Sequence, residues 1–218
     1  SVWGVMPTCS TPARFEFDGV DLDSIGVRAA MGAVVIAGGV RLYRRDPTFG
    51  SGFRGGVTAS FLQQIEVTAT VQFGSVDDYR YWYVDARALM SAGIPIFSGV
   101  GIYGFGGGAW HHMRREAMNP TQEQAMLASA PDGASARPNS DTSNPGSTNS
   151  GYRFVPDRGT EFGFRAMVTL GTHPSPDAFN GDVAFEMEFL SGGGIGRITI
   201  EGAAYIMASP SNRSEAKV

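Results

Sequence analysis

From Ile65 to Phe73 apolar and polar residues alternate without a break. Ile65, Val67, Ala69, Val71 and Phe73 are separated by Glu66, Thr68, Thr70 and Gln72. Successive side chains of an extended strand point to opposite faces, so a strict period of two puts the two sets on opposite sides of a sheet. The same period cannot be laid on a helix.

The pattern recurs along the chain. Phe15 and Phe17 alternate with the charges of Arg14–Asp18, and Ile25, Val27 and Ala29 share a side. Val34, Ile36, Val40 and Leu42 line one face of Gly32–Tyr43, where the pair Gly38–Gly39 suggests a bulge or close packing. Phe53, Val57, Ala59 and Phe61 repeat it. In Tyr79–Ala88, Trp82, Val84, Ala86 and Ala88 oppose Tyr81, Tyr83, Asp85 and Arg87. Ser91–Pro95 reads as a break before a glycine-loaded strand, Ile96–Met113. Later runs are Phe162–Leu170, Val183–Phe189 and Arg197–Met207. Their connections are short and rich in Gly, Pro and Asp, and nothing supplies crossover helices. The chain is therefore predicted to be all-β, an antiparallel meander of about ten strands forming a barrel, a sandwich or a large curved sheet. The apolar sets are expected to face a core, with Thr, Glu and Arg on a wet face.

One segment departs from this grammar. Residues 117–152 contain ASARPNSDTSNPGSTNSG, polar low complexity with nothing to build a core. The expected organisation is an irregular arm at 1–13, a first β part at 14–116, a polar insertion at 117–152, a second part of the same domain at 153–207 and a polar tail at 208–218. The insertion reads as a flexible surface segment; its rival reading is an ordered segment lying across a neighbour.

Charged residues are 17% of the chain, against about 25% in ordinary soluble domains. With 30 glycines, this suits a turn-rich β protein or one whose faces are partly covered by neighbours. The net charge of −4 leaves no basic field to recruit nucleic acid. A lone cysteine, Cys9, excludes an intrachain disulfide. No transmembrane segment is expected: the longest apolar run, Ala29–Val40, is Gly-rich and shorter than the ~20 residues of a spanning helix.

The phrases DDYRYWYVDARA, GIPIFSGVGIYGFGGGAWHHMRRE, GTHPSPDAFNGDVAFEMEF and GGIGRITIEGAAYIM resemble segments of very large, uncharacterised, β-rich bacterial proteins of surface or scaffold type. The resemblance spans most of Phe53–Met207. It implies a piece of a longer scaffold or surface protein, and it brings no activity and no site residue.

Several residue groups carry candidate chemistry. Tyr81, Tyr83 and Asp85 on one strand face, with Trp110, have the composition of a sugar-binding platform; cross-strand packing is the competing reading. His111 with His173 and either Asp85 or Asp177 has metal-ligand chemistry, while His111 and His112, adjacent on a strand, point apart and cannot easily chelate together. Asp18, Asp21 and Asp23 surround a turn and offer oxygen ligands for Ca²⁺, without the EF-hand order; a solvated turn whose Asp side chains bond their own backbone is the default reading. Gly104–Gly108 resembles a phosphate loop by glycine count alone, with neither helix nor Lys-Ser/Thr following. Glu186 and Glu188 share a strand face, as acid–base pairs on sugars do and as wet strand faces also do. No G-x-S-x-G is present. The leading expectation is a non-enzymatic structural or assembly module of a longer extracytoplasmic, cell-surface bacterial protein, with protein partners or self-association through sheet edges and no cofactor. The rivals are a carbohydrate- or ligand-binding domain and a glycoside-active enzyme.

Overall fold

The computed structural model describes residues 24–116, 145–148 and 152–210. All its regular structure is β, as expected. The strands are β1 (Ser24–Met31), β2 (Val34–Asp46), β3 (Gly50–Phe61), β4 (Ile65–Val76), β5 (Tyr79–Phe97), β6 (Val100–His111), β7 (Met113–Arg115), β8 (Phe154–Pro156), β9 (Thr160–Thr172), β10 (Phe179–Leu190) and β11 (Ile195–Ile206). Nine of them form one antiparallel sheet in the order β1-β2-β3-β4-β5-β6-β9-β10-β11; β7 and β8 pair separately. Among the described residues β1 and β11 each have one neighbour, so the sheet is open and not a closed barrel. The predicted strand Arg14–Asp18 and the arm lie outside the described residues.

The sheet is strongly curved. Arg87 on β5 reaches Asp182 on β10, Nη2 to Oδ2 at 3.1 Å, across β6 and β9. Three strand spacings in a flat sheet are about 14 Å, more than the two side chains span. The face carrying them is therefore the inside of the curve.

That face is the polar one, which reverses the expected sidedness. On β4, Thr70 is 3% exposed and Gln72 1%, while Phe73 is 40% exposed. On β3, Arg54 is buried while Val57 is 41% exposed, and on β11 Ile200 is 76% exposed. Register explains why the reversal is global. Cross-strand partners share a face, and Val57 pairs with Ala69, Ala69 with Ala86, and Ala86 with Gly107. One parity thus runs unbroken through the sheet. The outer set includes Ile25, Ile36, Phe53, Val71, Val84, Phe164, Val183 and Ile198; the inner set holds Gln72, Asp85, Arg87, Asp182 and Glu186.

Room for large inner side chains comes from glycine on β6. Gly104, Gly106 and Gly108 point inward, and a Cβ at Gly106 would sit 2.7 Å from the Met167 methyl. The glycine run Gly104–Gly108 thus serves close approach. The break expected at Ser91–Pro95 does not occur. β5 continues to Phe97, with register shifts between Leu89 and Ile94 and between Pro95 and Phe97. Bulges absorb the extra residues and the proline without ending the ladder.

Candidate functional site: the polar inner face

The inner face holds two clusters. The first is aromatic. Tyr81, Tyr83, Trp110, Phe49, Met113, Phe154 and Val155 are all buried together. The β7–β8 hairpin supplies Met113, Phe154 and Val155 and lies over the concave surface, Phe154 standing 4.6 Å from Tyr83 and 4.7 Å from Trp110, centroid to centroid. Gly163 opposes Trp110 on β9, and a Cβ there would sit 2.2 Å from the indole Cε2. The Tyr81 hydroxyl donates to the Phe49 carbonyl at 2.7 Å and meets the Tyr43 hydroxyl at 2.8 Å. Burial and the Tyr43 bond hold the Tyr81 phenol well above its usual range.

Residues 145–148, inside the expected low-complexity insertion, belong to this cover. The Gly146 N–H donates to Gln72 Oε1 at 2.8 Å, and Gln72 Nε2 donates to Tyr43 at 3.3 Å. Gly146 has φ +88° and packs against the Phe49 ring, a conformation that suits glycine. This part of the insertion is inside the curve.

The second cluster is ionic. Arg115 Nη1 lies 2.6 Å from Glu201 Oε1, and Arg165 Nη1 3.1 Å from Glu201 Oε2. Arg197 Nη2 lies 2.9 Å from both Glu186 and Glu188. Arg115 and Arg165 also approach Glu186 Oε2 at 3.5 Å. Tyr152 donates to Glu201 at 2.8 Å and lies beneath both guanidinium groups. Three arginines thus meet three glutamates, the balance that charges removed from water require. Burial alone would raise the Glu201 carboxyl, but the Tyr152 and Arg115 hydrogen bonds outweigh it and hold it below the usual range. Burial dominates at Glu188 and holds its carboxyl above that range, against the pull of Arg197. Farther along the face, burial lowers the Arg54 guanidinium while the charge of Asp85 opposes the shift.

The sequence-predicted residues fall as follows. Tyr81, Tyr83, Asp85 and Trp110 do come to one face, but all four are buried instead of forming a solvent-facing platform. His111 and His173 do not meet. His111 ends β6, whereas His173 follows β9 at the level of Gly99, its N–H bonded to the Gly99 carbonyl. Asp21 and Asp23, the proposed Ca²⁺ ligands, lie outside the described residues. Glu186 and Glu188 take arginine partners, and the histidines lie elsewhere.

His111 and His112 do not point apart as expected, for a local reason. His112 has φ 50°, which ends the strand and folds its ring back on that of His111, centroids 3.8 Å apart. Glu161, absent from the expected ligands, joins them. His112 Nε2 lies 3.7 Å from Glu161 Oε2, and His111 Nδ1 meets the Glu161 carbonyl. The three side chains have ligand atoms within 4.8 Å of one another, an arrangement with the donor types for a divalent transition metal. Only the left-handed turn at His112 creates it, and no strand pattern reports such a turn.

No protein-family model matches the chain, and neither does any curated protein or any solved structure.

Proposed function

We propose that the chain is a non-enzymatic structural module of a longer extracytoplasmic bacterial protein and that it acts through its outer β surface. One observation carries the reading: the outer face is apolar across all nine strands and exposed or half-exposed, while the glutamates of the inner face are paired with arginines and its tyrosines are packed away from water. An enzyme of the glycoside-active kind would need Glu186 or Glu188 free to exchange a proton with a substrate, and both share Arg197. A sugar-binding platform would need Tyr81 and Tyr83 open to solvent, and both are buried. Monomeric soluble proteins rarely leave contiguous apolar patches beyond a few hundred Å², so a surface of this extent works by being covered.

Light scattering with near-ultraviolet circular dichroism on the 218-residue chain tests this. The expected result is association, or a tertiary signal that develops fully only when an amphiphile or partner covers the sheet. A compact monomer with full aromatic bands in plain buffer overturns it.

A further inference from the structure

We infer that the outer face of the sheet is seated in the hydrocarbon of a lipid bilayer. The inference rests on the structural-module reading and names what covers the surface.

The apolar pattern of the outer face is complete. On β4 the outward residues from Ile65 to Phe73 are all apolar, and on β10 Gly181, Val183, Phe185, Met187 and Phe189 repeat this. On β11, Ile198, Ile200, Gly202, Ala204 and Ile206 do so at an edge of the sheet. Polar outward residues come only at strand ends, such as Ser75, Arg80, His111 and Thr172. Protein interfaces average about one hydrogen bond per 100–200 Å² of buried area. A band without one polar side chain over nine strands has no such partner groups to offer, and hydrocarbon asks for none.

Strand length points the same way. β3, β4, β10 and β11 have 12 residues each. Twelve residues extend about 40 Å; tilted by about 45° they rise about 28 Å, against the roughly 25 Å apolar band of transmembrane sheets.

The aromatic residues of the outer face are also ordered. Phe53 pairs with Phe73, Phe73 with Trp82, and Trp82 with His111, forming one row at the same end of the band. Phe53 stacks on Phe73 at 5.2 Å, and Trp82 lies 6.4 Å from Phe162 on β9. Aromatic rows at the border between apolar band and polar turns mark a membrane–water interface. Beyond the row stand Arg80, Asp77, Asp78 and Arg158, all in the polar turn region, with Arg158 bonded to Asp78 at 3.0 Å.

The inner face completes the case. A bilayer-spanning sheet needs its charges paired and turned from lipid, and Arg87–Asp182 and the arginine–glutamate cluster are both on the inside of the curve. No helix among the described residues is long and apolar enough to cross a membrane, a fact that does not bear on strands. Hydrocarbon also tolerates no open edge. β1 and β11 run in the same direction, being separated by an even number of antiparallel steps, so a single strand added between them would be antiparallel to both.

The test uses the full chain refolded with phosphatidylcholine vesicles, followed by flotation and by tryptophan quenching with brominated acyl chains. Trp82 faces outward, and Trp110 is buried inside. A Trp3→Phe background is compared with Trp3→Phe/Trp82→Phe. The expected result is co-flotation, with a quenchable emission that disappears with Trp82 and responds more to bromines near the headgroup than to deep ones. A chain that stays off vesicles but forms a defined oligomer in water, Trp82 shielded, overturns the bilayer while leaving the structural module standing. A soluble monomer overturns both. Vesicle binding with no quenching of Trp82 places a different surface on the membrane and also overturns the inference. Should Trp82→Phe fail to fold, spin-labelled lipid quenching of the Trp3→Phe chain, in which Trp110 is buried inside, gives the same discrimination.

Discussion

Gln72 and Phe73 are adjacent on β4 with opposite fates: the amide is 1% exposed and the phenyl ring 40% exposed. Gln72 is held by two partners, the Gly146 N–H and the Tyr43 hydroxyl; Phe73 is held by a stacked Phe53. Gln72→Leu strands the Gly146 donor in a buried site, at a cost of about 1–3 kcal/mol. Phe73→Leu keeps an apolar outer side chain and costs less than about 1.5 kcal/mol. Denaturant titration of both variants in the same lipid or micelle checks the order, which is the reverse of what a sheet with an apolar interior gives.

Trp110 sits where Gly163 has no side chain. Gly163→Ala forces the indole or the β7–β8 hairpin to move and is expected to destabilise by about 1–3 kcal/mol. Its signature is a red shift and broadening of the Trp110 emission, while the Trp82 contribution stays unchanged. Fluorescence of the variant in the Trp82→Phe background isolates it.

The ionic cluster gives a pH dependence whose sign follows from two opposite shifts. Glu201 is held below the usual carboxylate range, so its stabilisation is present above the unfolded value of about 4.3 and is lost as pH falls through its lower folded value. Glu188 is held above that range, so the folded state prefers its protonated form, and stability falls as pH rises through the window between about 4.3 and the raised value. Glu201→Gln is therefore expected to flatten the acid limb of the stability profile, and Glu188→Gln to flatten the limb just above it. Equilibrium unfolding from pH 3 to 7 reads both, in steps of about half a unit.

Removing a charge outright is more severe. Glu186 faces Arg197, Arg115 and Arg165 with its side chain only 3% exposed. Glu186→Ala leaves three arginines facing two glutamates and is expected to cost about 3–5 kcal/mol. Glu161→Ala, at the exposed His111–His112 cluster, costs under about 1 kcal/mol. The comparison is made by unfolding the two variants side by side.

The strands themselves were legible because their cause is local. The alternation in Ile65–Phe73 fixes β structure, and the short polar turns fix an antiparallel meander. Which face lies inside was not legible, because a period of two is the same whether water or hydrocarbon lies outside. The buried Gln72 and exposed Phe73 follow from curvature and solvent, which no single strand records. Pro95 read as a break because one proline does remove a donor, yet a bulged ladder carries β5 past it. Glu161 was missed as a neighbour of the histidines because strand parity forbids His111–His112 contact, and only the positive φ of His112 lifts that rule. The hidden role of Gly146 has the same origin: a glycine in a polar run shows no sign in sequence that its N–H will meet a buried amide.

The most direct test of the outer face as a lipid surface is the depth dependence of an introduced arginine. Ala69 lies midway along the outward row of β4, and Phe73 lies at its aromatic end. Stability is measured by reversible unfolding from phospholipid vesicles for Ala69→Arg and Phe73→Arg. The account predicts a loss of about 2–4 kcal/mol at Ala69 and about 0–1 kcal/mol at Phe73. Equal losses at the two positions, or a chain whose stability is the same with and without vesicles, would contradict it.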